Sequence, residues 1–331
     1  MKTLGTNGPV TFDIGLGCMG MSGSYGPADE KESIATIHAA LDAGLTLLDT
    51  GDFYGMGHNE MLIARALADH RREDVLLSVK FGSLRDPGGA HFGVDASPAA
   101  VKTFLAYSLR RLKTDYVDIY RPGRVDPDVP IEETVGAIAE MIAKGYVRHI
   151  GLSEVGAATI RRAQKVHPIC DVQIEYSLLT RGIEREILPA CRELGIAVTA
   201  YGVLSRGLIG GRWPESQGFG PGDFRRMAPR FSNENLPKNL NLISGLEEIA
   251  AKKHVSVAQI AIAWVLARGS DIVPLVGAKR RLHLQAALDA LKMELSTGEM
   301  AAIERAVPAG AVAGERYPVP LMSTLDSERP A

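Results

Sequence analysis

The sequence alternates short apolar segments with longer stretches of helical spacing, and the alternation recurs eight times. Residues that favour β-structure fill the short segments, while the longer stretches carry apolar side chains three and four positions apart. This pattern is typical of consecutive βα units that build a parallel sheet. The eight predicted strands are 13–17, 46–49, 75–80, 116–120, 147–151, 171–174, 196–200 and 272–276.

Eight is the number of strands in a closed (β/α)8 barrel, so we predict a single α/β domain of the TIM-barrel type over residues 1–331. Gly44, Gly145 and Gly195 each lie between a helical stretch and a strand, where glycine commonly ends a helix. These three similar helix ends indicate one repeated unit. A doubly wound open sheet is the alternative.

Two segments interrupt the alternation. Residues 205–240 are rich in Gly, Pro, Arg and Asn and follow the seventh predicted strand, so they are interpreted as a long loop insertion that covers a site. Residues 307–331 form a Pro- and Gly-rich tail, which either folds back as a rim of the barrel or frays.

The composition argues against several classes of protein. Lys and Arg number 37 against 39 Asp and Glu, a net charge of -2 without a long basic run, so no nucleic-acid partner is expected. No apolar stretch approaches the ~20 residues of a bilayer span, and we predict a cytoplasmic protein without membrane contact. The three cysteines (Cys18, Cys170 and Cys191) are expected to be reduced and buried. No motif for a metal site occurs, and a metal-free site is predicted.

In a barrel of this type the functional side chains lie at the carboxyl ends of the strands and on the loops that follow. Lys80 ends an otherwise apolar strand, so its ammonium group needs an anion nearby, and Asp49 ends the preceding strand. The two residues are either part of a catalytic site or only a structural salt bridge.

Tyr54 lies on the loop that follows Asp49. A lysine in contact with a phenol favours the phenolate and lowers its pKa toward the range of a general acid, which would make Tyr54 a proton donor to a carbonyl group. A tyrosine on a loop is by itself more often a packing residue. We predict Asp49, Tyr54 and Lys80 as the catalytic residues because all three fall at neighbouring strand ends.

The chain resembles the aldo-keto reductases over nearly its whole length. The stretches that carry the resemblance are 15–22, 49–55, 79–82, 145–153, 172–177 and 277–280. The resemblance implies an eight-stranded barrel that binds NADP(H) without a Rossmann fold and reduces an aldehyde or ketone substrate. It also implies that Tyr54 is the acid and that Lys80 and Asp49 lower its pKa.

The chain departs from the family pattern at Gly123, which stands where the family has a histidine that orients the carbonyl group. Glycine there would leave a void for a water molecule or a larger ketone, so a preference for bulky ketones is predicted. Alternatives are an NADP-binding regulatory or redox-sensing protein with little turnover, and alcohol oxidation at the same site. Arg121 and Arg124 flank the gap; either one replaces the histidine as a donor, or both pair with acids such as Asp126 or Asp128.

Further side chains are candidates for the same cavity. His58 either reaches it or only begins the next helix. Candidate apolar walls of the substrate site are Met21, Tyr25, Phe53, Phe81, Phe92, Trp213 and Phe219.

Within this resemblance, residues at the other strand ends are expected to hold the cofactor. Tyr201 would stack on the nicotinamide, and Ser153, Gln173 and Glu154 would bond its carboxamide. Arg206, which could instead form a loop salt bridge, would contact the diphosphate together with backbone amides nearby. Lys279 and Arg280, at a helix start, would bind the 2′-phosphate that distinguishes NADP from NAD. The predicted cofactor-binding residues are Met21, Asp49, Ser153, Glu154, Gln173, Tyr201, Gly202, Leu204, Arg206, Gly207, Gly277, Lys279 and Arg280.

The adenine contacts are not predicted. Family members place an acidic residue and an asparagine on this helix, whereas Ala286 and Ala287 stand here.

Overall fold

A closed barrel of eight parallel strands organises the computed structural model, which describes residues 1–210, 219–220 and 222–329. Each strand pairs with the next in sequence, and the eighth pairs with the first. This confirms the predicted (β/α)8 fold and all eight predicted strands. The barrel strands are β1 (Gly15–Gly17), β2 (Leu47–Gly51), β3 (Leu76–Phe81), β4 (Val117–Pro122), β5 (Val147–Ser153), β6 (Ile169–Glu175), β7 (Ala197–Tyr201) and β8 (Ile272–Gly277).

Helices connect the strands and cover the outside of the barrel. The helices are α1 (Glu30–Asp42), α2 (His58–Ala66), α3 (Pro98–Leu112), α4 (Ile131–Ala143), α5 (Ala157–Val166), α6 (Ile187–Glu193), α7 (Asn235–Ser244), α8 (Glu247–Lys252), α9 (Val257–Ala267), α10 (Arg281–Ala290), α11 (Thr297–Ala306) and α12 (Val319–Met322). Gly44, Gly145 and Gly195 have φ of 83°, 83° and 66°, which confirms the predicted left-handed helix ends.

The core lies between the strands and the inner faces of the helices. Apolar residues of the strands, such as Leu16, Val79 and Ile150, are completely buried, and so is Trp264 of α9. Burying one such aliphatic side chain contributes about 1.5–3 kcal/mol, so the core stabilises the barrel largely through these residues. Buried polar residues of the strands include Asp49, Lys80 and Gln173 toward the carboxyl ends, and Asp118 and Asp171 nearer the amino ends.

Two short hairpins lie at opposite ends of the barrel. The first, Lys2–Thr3 with Val10–Thr11, precedes β1, and Leu4 beside it is completely buried against Leu47 and Ile119. The second pairs Ser83–Arg85 with His91–Val94 directly after β3, so it stands at the carboxyl end where a site is expected. The loop hairpin was not predicted from the sequence.

The two segments that interrupt the alternation are ordered where the structure describes them. The predicted insertion 205–240 is too long, because α7 begins at Asn235; before α7 the chain forms 3-10 turns at Ser205–Gly207, Phe224–Met227 and Pro229–Phe231. The tail folds back onto the carboxyl end of the barrel, and Arg316 and Leu325 are buried there. The described part of the tail therefore lies over the carboxyl end of the barrel, where Arg316 bonds Glu154.

Residues 15–20 have the glycine spacing G-x-G-x-x-G of a dinucleotide-binding turn. In the structure this segment ends β1 and enters the 3-10 turn Met19–Ser22, and α1 starts only at Glu30. The glycines therefore do not open a helix, as a doubly wound fold would require.

Among the described residues no single helix is long and apolar enough to cross a membrane; the bent pair Asn235–Lys252 and Val257–Ala267 meets the length and composition criteria only when both helices are taken together. No group of three His, Cys, Asp or Glu side chains in the described part of the chain could hold a metal ion. Cys18, Cys170 and Cys191 are free thiols and buried.

Candidate active site

A layer of charged and polar side chains fills the barrel at the carboxyl ends of its strands. Asp49 on β2 is at its centre: one carboxylate oxygen pairs with the Lys80 ammonium group, and the other accepts hydrogen bonds from Ser78 Oγ at 2.8 Å and Gln173 Nε2 at 2.7 Å. Asp49 and Lys80 are 2% and 4% exposed. The structure therefore brings together the two strand ends that the sequence singled out, in an enclosed ion pair.

Tyr54 lies over this pair. The Lys80 ammonium nitrogen is 5.1 Å from the centroid of the Tyr54 ring. The loop that carries Tyr54 turns sharply at Gly57, whose φ is 90° and where a Cβ atom would approach Arg111 to 2.7 Å. Only glycine fits this position without strain, so the loop geometry that directs Tyr54 depends on it. The Tyr54 hydroxyl forms no hydrogen bond to any described residue and is free to contact a ligand.

The predicted effect of Lys80 on the tyrosine is wrong for the protein without ligands. Burial raises the pKa of the Tyr54 phenol well above its usual value, and the Asp49 carboxylate adds to the rise. Lys80 is paired with Asp49, and burial lowers the pKa of Lys80 itself. A phenol in this setting stays protonated at neutral pH, so Tyr54 can still give a proton although it does not readily form a phenolate.

The void expected at Gly123 is absent. A Cβ atom there would lie 3.2 Å from Cε1 of Phe53 and 3.3 Å from the backbone oxygen of Phe81. The Phe53 ring, which also packs edge-on against Tyr54 with 5.0 Å between centroids, fills the space that a side chain at residue 123 would enter. Phe53 thus packs between Tyr54 and Gly123, and the expectation of an open cavity is corrected.

Introducing a side chain at this position is expected to destabilise the protein. Gly123→His should lower the free energy of unfolding by about 1–3 kcal/mol, since the imidazole and the Phe53 ring compete for one space. Urea denaturation measures this, and adding Phe53→Ala to the variant should recover part of the loss, with Phe53→Ala alone as control. A Gly123→His protein as stable as the wild type would show that Phe53 moves aside freely.

The two arginines beside Gly123 have different environments, and neither pairs with the nearby acids as the alternative supposed. Arg121 is inside the barrel and binds Asp171, with 2.9 Å between Nη1 and Oδ2. Arg124 is half-buried at the mouth; its Nη1 donates to the carbonyl of Gly123 at 2.6 Å, and no acidic group in the described residues forms an ion pair with it.

His58 does not reach the cavity. It is the first residue of α2, and its ring contacts Ser22 Oγ at 2.9 Å and Glu30 Oε1 at 2.7 Å. This confirms the alternative in which the residue begins the helix.

Ser153 and Gln173 are side by side on β5 and β6, at 2% and 3% exposure. Gln173 uses its amide nitrogen for Asp49, while its oxygen has no partner among the described residues, and neither has the Ser153 hydroxyl. A buried acceptor next to a buried hydroxyl is a suitable partner for a primary carboxamide, which offers both N–H and C=O groups.

Glu154 has a different role from the predicted one. Its carboxylate is completely buried and binds Arg316 of the tail at 2.9 and 2.5 Å, and it accepts hydrogen bonds from Tyr201 at 2.6 Å and Ser327 at 2.8 Å. Arg316 holds the pKa of Glu154 far below its usual range despite burial. Both oxygens are occupied, so the carboxylate is not available to a carboxamide in this structure.

Tyr201 and Tyr317 join the tail to the barrel. Their hydroxyl groups are 2.9 Å apart, and the Tyr201 hydroxyl donates to Glu154. The Tyr317 ring lies 4.5 Å from the guanidinium carbon of Arg206. Tyr201 is half-buried at the end of β7, where the sequence placed it.

Arg206 belongs to an internal ion-pair network, which is the alternative that the sequence left open. It binds Glu175 at 3.0 Å, and Glu175 also binds Arg230 at 3.3 Å. Ser205 and Arg206 have positive φ values of 46° and 58°, as do Gly202 and Gly207 at the same turn. Gly202, Leu204 and Gly207 thus form a tight turn directly after β7.

The predicted phosphate-binding residues lie together at the start of α10. Lys279 Nζ contacts the carbonyl oxygens of Tyr25 and Pro27 at 3.1 and 2.7 Å, whereas the Arg280 side chain is exposed and bonds no described residue. Gly277 is exposed beside them. Ala287 is buried in the core at 1% exposure and Ala286 is half-buried, so neither offers a polar group to adenine.

The remaining candidates for the apolar wall differ in how far their side chains are exposed. Met21 and Phe81 are core residues at 1% and 0% exposure, and Phe81 stacks on Tyr120. Phe92 is 65% exposed on the hairpin. Trp213 lies outside the described residues.

Sequence reasoning missed Arg316, Tyr317 and Glu175. Glu175 had a signal: on a strand, Asp171, Gln173 and Glu175 alternate and must share one face. Arg316 and Tyr317 precede a proline in a tail that was assigned to a rim, but nothing in the sequence pairs them with Glu154.

Comparison with known proteins gives a consistent result. A sequence model described as the aldo/keto reductase family matches residues 13–308. The chain is 42% identical over 315 residues to "Probable aldo-keto reductase 1" of Glycine max, covering 95% of this chain and 90% of that protein. It is 40% identical over 309 residues to the NADP(+) aldo-keto reductase yakc of Schizosaccharomyces pombe, covering 92% and 91%.

Solved structures of other proteins are similar to this chain over nearly its whole length. The glycerol dehydrogenase AKR11B4 from Gluconobacter oxydans superposes with a TM-score of 0.82 at 27% identity, covering 100% of this chain and 97% of that one. An aldo/keto reductase from Klebsiella pneumoniae in complex with NADP and acetate has a TM-score of 0.75 at 26% identity, with 96% and 98% covered.

Proposed function

Because this chain belongs to the aldo/keto reductase family, we propose that it is an NADP(H)-dependent oxidoreductase that reduces the carbonyl group of an aldehyde or ketone to an alcohol. The observation that carries the proposal is the enclosed Asp49–Lys80 ion pair beneath Tyr54, whose hydroxyl has no partner among the described residues. A protonated, unengaged phenol at the mouth of a barrel is suited to protonating a substrate oxygen.

The residues present fit a nicotinamide cofactor at both ends. The free oxygen of Gln173 and the free hydroxyl of Ser153 would hold the carboxamide, with Tyr201 beside them. Arg280, at the start of α10 with Lys279, would hold the 2′-phosphate. When bound, NADPH supplies the hydride that reduces the carbonyl carbon.

The protein's own contribution is proton delivery and positioning. Tyr54 donates its phenolic proton to the carbonyl oxygen as negative charge develops there, and the Lys80 ammonium group stabilises the phenolate that results. Asp49 holds Lys80 in place, and Ser78 and Gln173 hold Asp49. The predicted preference for bulky ketones has no support in the geometry at Gly123, because the Phe53 ring fills the space where a void was expected.

The proposal is tested by following the absorbance of NADPH with a panel of aldehydes and ketones and by identifying the alcohol formed. Consumption of NADPH that depends on the carbonyl compound supports the proposal. Tight NADPH binding with no consumption on any carbonyl would overturn it in favour of a regulatory protein. Rates with NADP+ and the product alcohols measure the oxidative direction.

The preference for NADPH over NADH is expected to depend on Arg280. Arg280→Gln should raise the dissociation constant for NADPH about tenfold or more and leave that for NADH nearly unchanged, because only NADPH carries the 2′-phosphate. Fluorescence titration measures both constants. Arg281→Gln is the matched control, since the neighbouring Arg281 pairs with Glu32 instead. Equal affinity of the wild type for the two cofactors would contradict the assignment.

A further inference from the structure

Basic side chains line one side of the mouth of the barrel, next to Tyr54. They come from two elements: Arg124 follows β4, and Arg85 and His91 are direct cross-strand partners in the hairpin after β3. We refer to Arg85, His91 and Arg124 as the basic wall. None of these residues has a role in the proton delivery described above.

Phe53 links the basic wall to the reacting group. Its ring contacts Tyr54 with 5.0 Å between centroids, lies against Gly123, and is 5.9 Å from the guanidinium carbon of Arg85. Arg124, which directly follows Gly123, also lies 5.7 Å from the Tyr317 ring centroid. Arg124 is therefore within the site and close enough to Tyr54 that its charge counteracts the rise in the pKa of that phenol.

No acid in the described residues forms a direct ion pair with Arg124, whose Nη1 donates to the carbonyl of Gly123. The charge of Glu154 acts on Arg124, but both Glu154 oxygens are engaged by Arg316. Asp126 uses its oxygens to accept backbone N–H groups of Ala96 and Asp128. An anionic ligand at the mouth of the barrel would give this guanidinium a direct, charge-assisted hydrogen-bond partner.

The hairpin after β3 adds two more basic side chains, Arg85 and His91, beside Arg124. Arg85 and His91 are paired across the hairpin, and burial, together with the charges of Arg85 and Arg124, lowers the pKa of His91. Neutral His91 still offers a ring N–H donor at neutral pH. Half-buried Arg124 and exposed Arg85 offer two cations on this side of the mouth to a single anionic group.

We propose that the basic wall binds the carboxylate of the substrate, so that the preferred substrates are aldehydes or ketones that carry a carboxylate group. This rests on the proposed carbonyl reduction and narrows its substrate class. Arg124 is the substrate-binding residue, with Arg85 and His91 as outer donors. The anchored carboxylate orients the carbonyl group toward Tyr54. In the family pattern a histidine does this, and this chain has glycine in its place at residue 123.

The test compares two aldehydes of nearly equal shape, 4-carboxybenzaldehyde and 4-formylbenzamide, with NADPH at pH 7. The wild type is expected to have a kcat/KM at least tenfold higher for the carboxylate. In Arg124→Gln the ratio of the two values should fall to near one, and in Arg124→Lys, which keeps the charge, part of the preference should remain. Arg71→Gln is the control; Arg71 is an exposed arginine before β3, at the opposite end of the barrel, and should leave the ratio unchanged.

A binding measurement separates this inference from the proposed function. Titration of the NADP+ complex with benzoate and with benzamide should show at least tenfold tighter binding of benzoate, lost in Arg124→Gln. If no aldehyde is reduced but benzoate binds through Arg124, the carbonyl-reductase proposal fails and the carboxylate site stands. If both aldehydes are reduced equally well by the wild type and benzoate binds no better than benzamide, the carboxylate site is refuted while the reductase proposal stands.

Discussion

Replacing Tyr54 with phenylalanine is expected to lower kcat/KM for carbonyl reduction by about 10²- to 10⁴-fold, the usual contribution of a positioned general acid. The phenylalanine ring keeps the packing against Phe53 and over Lys80. Because the Tyr54 hydroxyl bonds no described residue, its removal should change the free energy of unfolding by less than about 0.5 kcal/mol. Steady-state kinetics and NADPH titration measure the effect, and NADPH affinity should stay within about twofold.

The control is Tyr107→Phe, which removes the hydroxyl of a tyrosine that is 57% exposed on α3. It should retain full turnover. Tyr54 is a cleaner target than Asp49 or Lys80, since loss of either partner of their buried ion pair would strand the other charge and cost about 3–5 kcal/mol of stability. Full turnover of Tyr54→Phe would disprove its role as the acid.

Arg316→Leu is expected to lower the free energy of unfolding by about 3–5 kcal/mol, since it leaves the completely buried Glu154 carboxylate without its bidentate partner. The loss should depend on pH. In the wild type the depressed pKa keeps Glu154 ionised and stabilising at all pH values above its unfolded pKa of 4.5. When Arg316 is absent, burial raises the pKa of Glu154. The difference in the free energy of unfolding between the variant and the wild type should therefore shrink as pH falls from 8 toward 5.

Urea denaturation at several pH values measures this difference. Arg329→Leu is the matched control, because Arg329 is in the same tail but is half exposed and lies 3.8 Å from Asp326. Adding Glu154→Gln to Arg316→Leu should restore part of the stability. A loss below about 1 kcal/mol at pH 8 would show that solvent reaches Glu154 freely.

The sequence was sufficient to predict the barrel because its strands are continuous and apolar, and their number leaves little choice of topology. It was also sufficient to bring Asp49, Tyr54 and Lys80 together, since parallel strands end at one edge. Alternation along β6 could have added Glu175 to Gln173.

Other features depend on contacts between residues far apart in the chain, which spacing does not encode. Glu154 and Arg316 are separated by 162 positions, and only the folded tail shows that they pair. The Phe53 ring could not be placed against Gly123 without the loop geometry. The shift of the Tyr54 pKa was predicted in the wrong direction because burial, which the sequence does not give, outweighs the nearby lysine.

Arg316 follows every strand of the barrel in the chain, although it completes the mouth of the site. During translation the cylinder can therefore close while Glu154 still lacks its counter-charge. The mouth of the barrel acquires its final charge balance only when the tail has packed onto the strands and Arg316 has reached Glu154.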